Sequence, residues 1–202
     1  MTERIGVFGG TFDPPHLGHL ILASEARAQL HLTRVLWVLT SLPPHKLDQP
    51  VSPLEDRLAM LKLALTYERD DELSPIDMER PGPHYTLDTL RLLSDQNPGA
   101  SLVLLLGGDS LRDLPEWYRP VELVSKCHEI GVMRRPEDSI DLSTLEKKIA
   151  GITSKVRFVD APLLEIASRE IRRRVLEGQP FRYYVCPTVH DYILEHRLYR
   201  ET

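Results

Sequence analysis

The sequence predicts an α/β fold, a doubly wound parallel sheet with helices on both faces and a small helical C-terminal part over about residues 165–202. Three observations predict it. Short apolar runs alternate along the chain with segments of helical period, the pattern of successive βαβ units. Those runs are apolar throughout, as strands covered on both faces must be. The first of them ends in Gly9-Gly10, and sheets of this class bind ligands beyond the carboxyl ends of their strands. With 202 residues, a single domain spanning 1–202 has room for a full core.

The elements follow in order. Residues 4–8, RIGVF, form a buried strand stopped by the two glycines. A helix over 17–30 should bury a face made of Leu17, Leu20, Ile21, Ser24 and Ala28. VLWVLT (35–40) is a second strand, followed by a Pro-rich loop over 41–53. Pro53 opens a helix whose Leu54, Leu58, Leu61 and Leu65 recur at helical spacing. A short strand is expected around Ile76, then a helix from Thr86 to Gln96 with Thr86 as its N-cap. LVLLL (102–106), EIGVM (129–133) and VRFV (156–159) are three further strands. Ser168 should cap a helix running to Gly178, and Thr188 with Asp191 resembles a capping box for the last helix.

Composition excludes several classes. Apolar residues are 42% and charged residues 27% of the chain, too apolar for disorder. A formal net charge of −5 argues against a broad nucleic-acid surface, while a local basic pocket for a phosphorylated small molecule remains open. Cys127 and Cys186 make neither a CxxC motif nor a disulfide framework, which suits a reducing, cytoplasmic setting. No apolar run approaches the length of a membrane span, and the N-terminus does not read as a secretory signal. Oligomeric state is not legible.

The chemistry gathers in GGTFDPPHLGHL, residues 9–20. Gly9 and Gly10 should let the backbone turn sharply and approach a ligand. The helix that follows offers N–H groups and a positive dipole end, a natural phosphate site. His16 and His19, three apart, share a helix face; each can donate to a phosphate oxygen and each can become cationic near neutral pH. Gly18 between them removes a side chain that could crowd the ligand. Neither the P-loop pattern nor GxGxxG is present. A metal pair is the competing reading of two such histidines, but HExxH and a third ligand are missing, so no metal ligand is assigned. Ordinary surface histidines are the other alternative.

The stretch GGTFDPPHLGH resembles the signature of the nucleotidylyltransferase superfamily, whose short core is HxGH, and the longer form is similar to the bacterial nicotinate mononucleotide adenylyltransferases. Pro43-Pro44-His45-Lys46, Tyr85-Thr86-Leu87-Asp88-Thr89-Leu90, Gly107-Gly108-Asp109-Ser110-Leu111 and Ile166-Ala167-Ser168-Arg169-Glu170-Ile171-Arg172 resemble further motifs of that family. The resemblance implies that ATP and nicotinate mononucleotide are joined to give deamido-NAD and pyrophosphate, in NAD biosynthesis. It implies that His16, His19 and Arg172 serve the chemistry. It implies ATP contacts from Gly9, Gly10, Thr11, Phe12, His16, Gly18, His19, Gly107, Asp109, Arg134, Ile166, Ser168 and Arg172. It implies nicotinate mononucleotide contacts from Thr11, Lys46, Thr86, Asp109, Trp117 and Tyr118, with Mg²⁺ carried mainly on the ATP phosphates. Two positions depart from the family pattern: Ala167 stands for a serine and Arg169 for a threonine, so two hydroxyl donors are exchanged for one cation. Arg173 and Arg174 are expected on an exposed basic face. The rival readings are a sibling such as a phosphopantetheine adenylyltransferase, from which the PPHK and YTxDTL elements distinguish this chain, and a non-catalytic nucleotide sensor.

Overall fold

The computed structural model describes residues 2–41, 51–133, 140–162 and 164–200. Six strands lie side by side in the order β3-β2-β1-β4-β5-β6, every neighbouring pair parallel. The chain runs β1 (Arg4–Gly10), α1 (Leu17–Gln29), β2 (Arg34–Leu39), α2 (Leu54–Ala64), β3 (Asp71–Ser74), α3 (Thr86–Gln96) and β4 (Ser101–Gly107). It continues through α4 (Gly108–Asp113), α5 (Pro120–Lys126), β5 (Glu129–Met133), α6 (Leu142–Lys148), α7 (Ile152–Lys155), β6 (Val156–Val159), α8 (Ser168–Leu176) and α9 (Pro187–Glu195). The strand order reverses direction between β1 and β4, so their carboxyl ends flank the crevice where such sheets take ligands.

The expected two-sided burial is borne out residue by residue. Val7, Val38, Leu104 and Val132 face a core shared with α3 (Leu87, Leu90, Leu93), α5 (Leu123, Val124) and α6 (Leu145). Phe8, Trp37, Val103 and Leu105 face the opposite core, shared with Leu22, Ala23 and Ala26 of α1 and Leu61 of α2. A third cluster joins Met60 and Ala64 of α2 to Ile171 and Val175 of α8 and Val189 and Ile193 of α9. That cluster is the helical C-terminal part, and α2 links it to the sheet layer.

Several local expectations are corrected. Gly9 and Gly10 continue β1 rather than ending it, paired with Val38 and Leu39. The sharp turn comes at Phe12, whose φ is +47°. The buried face of α1 is Gly18, Leu22, Ala23 and Ala26, with Ser24 and Ala28 exposed. Small residues let this helix pack close to the sheet, and leucine spacing alone did not mark that face. The short third strand lies at Asp71–Ser74, and Ile76 follows it as a buried turn residue. Thr86 and Ser168 are the first helical residues, the caps being Tyr85 and Ala167. The cap of α9 is Cys186, and Thr188 sends its hydroxyl to the Leu63 carbonyl (3.3 Å) instead of closing a capping box with Asp191.

Candidate active site

A cavity of about 350 Å³ opens at the β1/β4 crevice. Its walls bring together Gly9, Gly10, Thr11, His16, Gly18 and His19 from the first βα turn with Gly107 and Asp109 from the fourth. Thr86, Trp117 and Tyr118 also line it, as does Ile166, which stands just before α8. Four motifs far apart in sequence thus meet in one space.

The geometry at the histidines is specific. His16 is the N-cap of α1, extended at φ −146° and 5% exposed. Its N–H donates to His19 Nδ1 at 3.2 Å, and the two rings stack 3.6 Å apart, 18° from parallel. A neutral imidazole that accepts at Nδ1 carries its proton on Nε2, so Nε2 is the donor end of His19. The His19 ring is fixed edge-on against Phe8 and Phe12. Gly18 makes this possible in a way not foreseen: a Cβ there would lie 3.1 Å from His16 Nδ1, so the space it frees belongs to the His16 ring. Likewise a Cβ on Gly10 would press the Phe12 ring at 2.9 Å, and one on Gly107 would meet Asp109 Oδ1 at 2.7 Å. Gly9 has open space before it.

The remaining expected residues divide. Phe12 is 2% exposed and stands behind the wall, between Trp37 and His19. Ser168 and Arg172 lie outside the cavity lining and brace the loop before α1: Ser168 Oγ donates to the Pro14 carbonyl (2.9 Å) and Arg172 Nη1 to the Asp13 carbonyl (2.6 Å). Asp109 sits in the first turn of α4, accepting the Ser110 N–H at 3.0 Å, and the cap of that helix is Gly107. Trp117 is half-buried, and its main-chain N–H is given to the Leu114 carbonyl (3.1 Å). Beside it, the Tyr118 ring stacks on Tyr85 at 4.4 Å. Lys46, with the rest of the PPHK motif, and Arg134 lie outside the described residues. On α8, Arg173 and Arg174 are tied to Glu170, while Arg169 is exposed.

Sequence reasoning missed the buried support beneath this wall. Arg57 of α2 is 2% exposed and donates to four carbonyls: Ser52 (3.0 Å), Thr11 (3.1 Å), Thr40 (2.9 Å) and Ser41 (3.0 Å). Burial lowers its pKa, and the nearby Asp13 charge opposes that shift only in part. Asp13, 3% exposed, accepts from the Ser52 N–H (3.1 Å) and the Tyr199 hydroxyl (2.7 Å). His84, 4% exposed, also lines the cavity, with Nε2 3.1 Å from the Arg80 carbonyl. One signal was available for Arg57: it shares a helix face with Leu54 and Leu61, an arginine within an apolar stripe. Nothing local marks Tyr199, which lies 186 residues from its partner.

The cytidylyltransferase-like family profile matches residues 7–174. The chain belongs to the cytidylyltransferase-like family. Among its members, the chain is 45% identical over 198 residues to a "probable nicotinate-nucleotide adenylyltransferase" of Thermomicrobium roseum, covering 98% of this chain and 92% of that protein. It is 41% identical to the protein of the same name from Synechococcus sp. (strain JA-3-3Ab), over 98% and 95% of the two chains. Its fold superposes on the Plasmodium falciparum nicotinic acid mononucleotide adenylyltransferase complexed with NaAD, with a TM-score of 0.82 at 22% identity over 98% and 97% of the chains. The same Plasmodium enzyme complexed with APC gives 0.79 at 21% identity. At those identities the likeness is one of fold, and it agrees with the parallel cytidylyltransferase-like sheet described above. No helix among the described residues is long and apolar enough to cross a membrane.

Proposed function

We propose that this chain transfers the adenylyl group of ATP to nicotinate mononucleotide, giving deamido-NAD and pyrophosphate. The observation that carries the reading is the single continuous cavity joining the His16–His19 turn to the Thr86–Trp117 end. One end suits phosphates and the other a planar aromatic acid. The mononucleotide's phosphate oxygen attacks the α-phosphorus in line. A P–O bond forms there, and the bond to the bridging oxygen breaks, its electron pair leaving with pyrophosphate. The attacking phosphate needs no general base, since its second pKa is about 6.

The rate then comes from positioning and from donors aimed at developing charge. His19 Nε2 and His16 supply donors at the α1 start. Gly9 and Gly10 keep the strand end clear for the nucleotide, and Thr11, Gly107, Asp109 and Ile166 line its path. Arg172, with Ser168, lies against the loop before α1 and contributes positive charge toward the leaving phosphates. Thr86, Trp117 and Tyr118 receive the pyridine ring and its carboxylate, and Lys46 and Arg134 add cations. Mg²⁺ would be carried by the triphosphate, since this ion commonly keeps phosphate and water ligands and takes few from protein. Bound there, it would neutralise charge on the phosphate oxygens.

The test is an incubation of the protein with ATP, Mg²⁺ and one of nicotinate mononucleotide, nicotinamide mononucleotide or phosphopantetheine, with the product identified by mass. Deamido-NAD formed in preference to the other two products is expected. Adenylylated phosphopantetheine would reassign the substrate, and ATP binding without any product would leave a sensor.

A further inference from the structure

Beyond α9, the chain reaches back to the loop before α1 through the Tyr199 hydroxyl. Tyr199 Oη donates to Asp13 Oδ1 at 2.7 Å, and the Asp13 Oδ2 accepts the Ser52 N–H at 3.1 Å. The carboxylate is 3% exposed and lies between β1 and α1, in the turn that leads into His16. Arg172 is the nearest cation on the α8 side. Its Nη1 spends one bond on the Asp13 main-chain carbonyl (2.6 Å) and stays 3.9 Å from Asp13 Oδ2, beyond hydrogen-bonding reach. Arg172 is thus ion-paired with a buried carboxylate at 3.9 Å without a hydrogen bond to it, and a guanidinium has further N–H donors for phosphate. A carboxylate in so dry a setting attracts a nearby guanidinium strongly unless its own lone pairs are filled.

We propose that Tyr199 is a positioning residue for the nucleotide: by anchoring Asp13 through Oδ1, while the Ser52 N–H holds Oδ2, it keeps that carboxylate from closing on Arg172, so the guanidinium stays open to the ATP phosphates. The proposal rests on the reading of Arg172 as a phosphate clamp. Burial and the adjacent Asp13 charge push the Tyr199 hydroxyl far above the usual phenol range, so it remains a donor at every working pH. Arg57 completes the frame, since its Nε holds the Ser52 carbonyl while the Ser52 N–H holds Asp13.

The experiment is a double-mutant cycle on the whole protein, reading KM for each substrate, kcat and Tm for Tyr199→Phe, Arg172→Ala and the pair. Tyr199→Phe removes one oxygen and should raise KM for ATP about tenfold, the worth of one charge-assisted hydrogen bond. KM for nicotinate mononucleotide should stay within about twofold. In the Arg172→Ala background Tyr199→Phe should add nothing, because the group it protects is gone. Asp13→Asn, whose amide cannot draw in a cation, should leave KM for ATP at or below the parent value, and it keeps the proposal testable if Tyr199→Phe does not fold. If Arg172→Ala raises KM for ATP while Tyr199→Phe does not, or if Tyr199→Phe acts equally in both backgrounds, Tyr199 merely pins the C-terminal segment and the proposal fails with the clamp intact. If Arg172→Ala leaves KM for ATP unchanged, the clamp reading itself falls, and this proposal with it.

Discussion

At the scale of the residue, the site depends on side chains that never touch the cavity. Arg57 joins the ends of β1 and β2 to the start of α2 through four main-chain carbonyls. An Arg57→Met exchange keeps most of the volume but leaves buried acceptors unmade, each costing about 1–3 kcal/mol. We expect a total loss of about 3–5 kcal/mol in urea unfolding; a loss under about 1 kcal/mol would show that water replaces the guanidinium. What the sequence revealed at this scale was chemistry written in a short contiguous string, such as His16, Gly18 and His19. It could not reveal Arg57, Asp13 and Tyr199 as a set, because their meeting requires the folded chain. The glycines were legible as glycines but not by purpose: Gly18 makes room for His16, and Gly10 for Phe12. Cys127 shows the same gap in the other direction. Burial pushes its thiol up to about 12, which makes it a packing residue.

Elements are governed by their ends. The start of α6 is capped by Asp141, whose carboxylate accepts from the Ser143 N–H (2.9 Å), the Ser143 hydroxyl (2.7 Å) and the Thr144 hydroxyl (2.6 Å). Glu146 on the same helix reaches on to the Gly151 and Thr153 N–H groups at the start of α7. Lys155 in turn donates to the Val124, Ser125 and Cys127 carbonyls where α5 ends. The Thr144 and Ser143 hydroxyls, the Ser143 N–H adding to them, hold the Asp141 carboxyl down at about 2. Its folded value lies below the ordinary value of about 3.9, so the cap stabilises fully above that pH and fades as pH falls toward 2. Asp141→Ala should lower Tm by about 2–4 °C at pH 7, and thermal scans should show the gap to the parent closing between pH 4 and pH 2. A gap that does not change with pH would mean the carboxylate charge is not what caps the helix. Helix existence was legible where apolar periodicity was long, as in α3. The short helices α4 to α7 carried too few turns for a period to show. The caps expected at Thr86 and Ser168 were each displaced by one residue. For Ser168 the reason is visible: its hydroxyl makes a tertiary bond to Pro14 in place of the local one.

Over the whole molecule, two halves of the chain meet at the β1/β4 crevice, and α2 fastens the C-terminal helices to them. Met60 and Ala64 on one side of α2 face Ile171, Val189 and Ile193, while Leu61 faces the sheet. If residues 1–202 unfold as one unit, as we expect, damage to the C-terminal cluster must register in the global transition. Ile193 is fully buried, and Ile193→Ala should cost about 2–5 kcal/mol in a single urea transition that also removes the sheet signal. A separate early transition, with the sheet unaffected, would show that the helical part comes away on its own. The parallel, doubly covered architecture was legible because it follows from apolar strands alternating with helices. The strand order was not, since nothing local to a strand tells it which neighbour to take.

The sheet's outer strands also bear on how copies of this chain can meet. β3 and β6 are four residues each, and β3 carries Asp71 and Glu72 along its length. So short and charged a margin offers a neighbouring chain little ladder to extend. If copies of this molecule associate, helix faces and loops are the expected contact surfaces rather than a shared sheet.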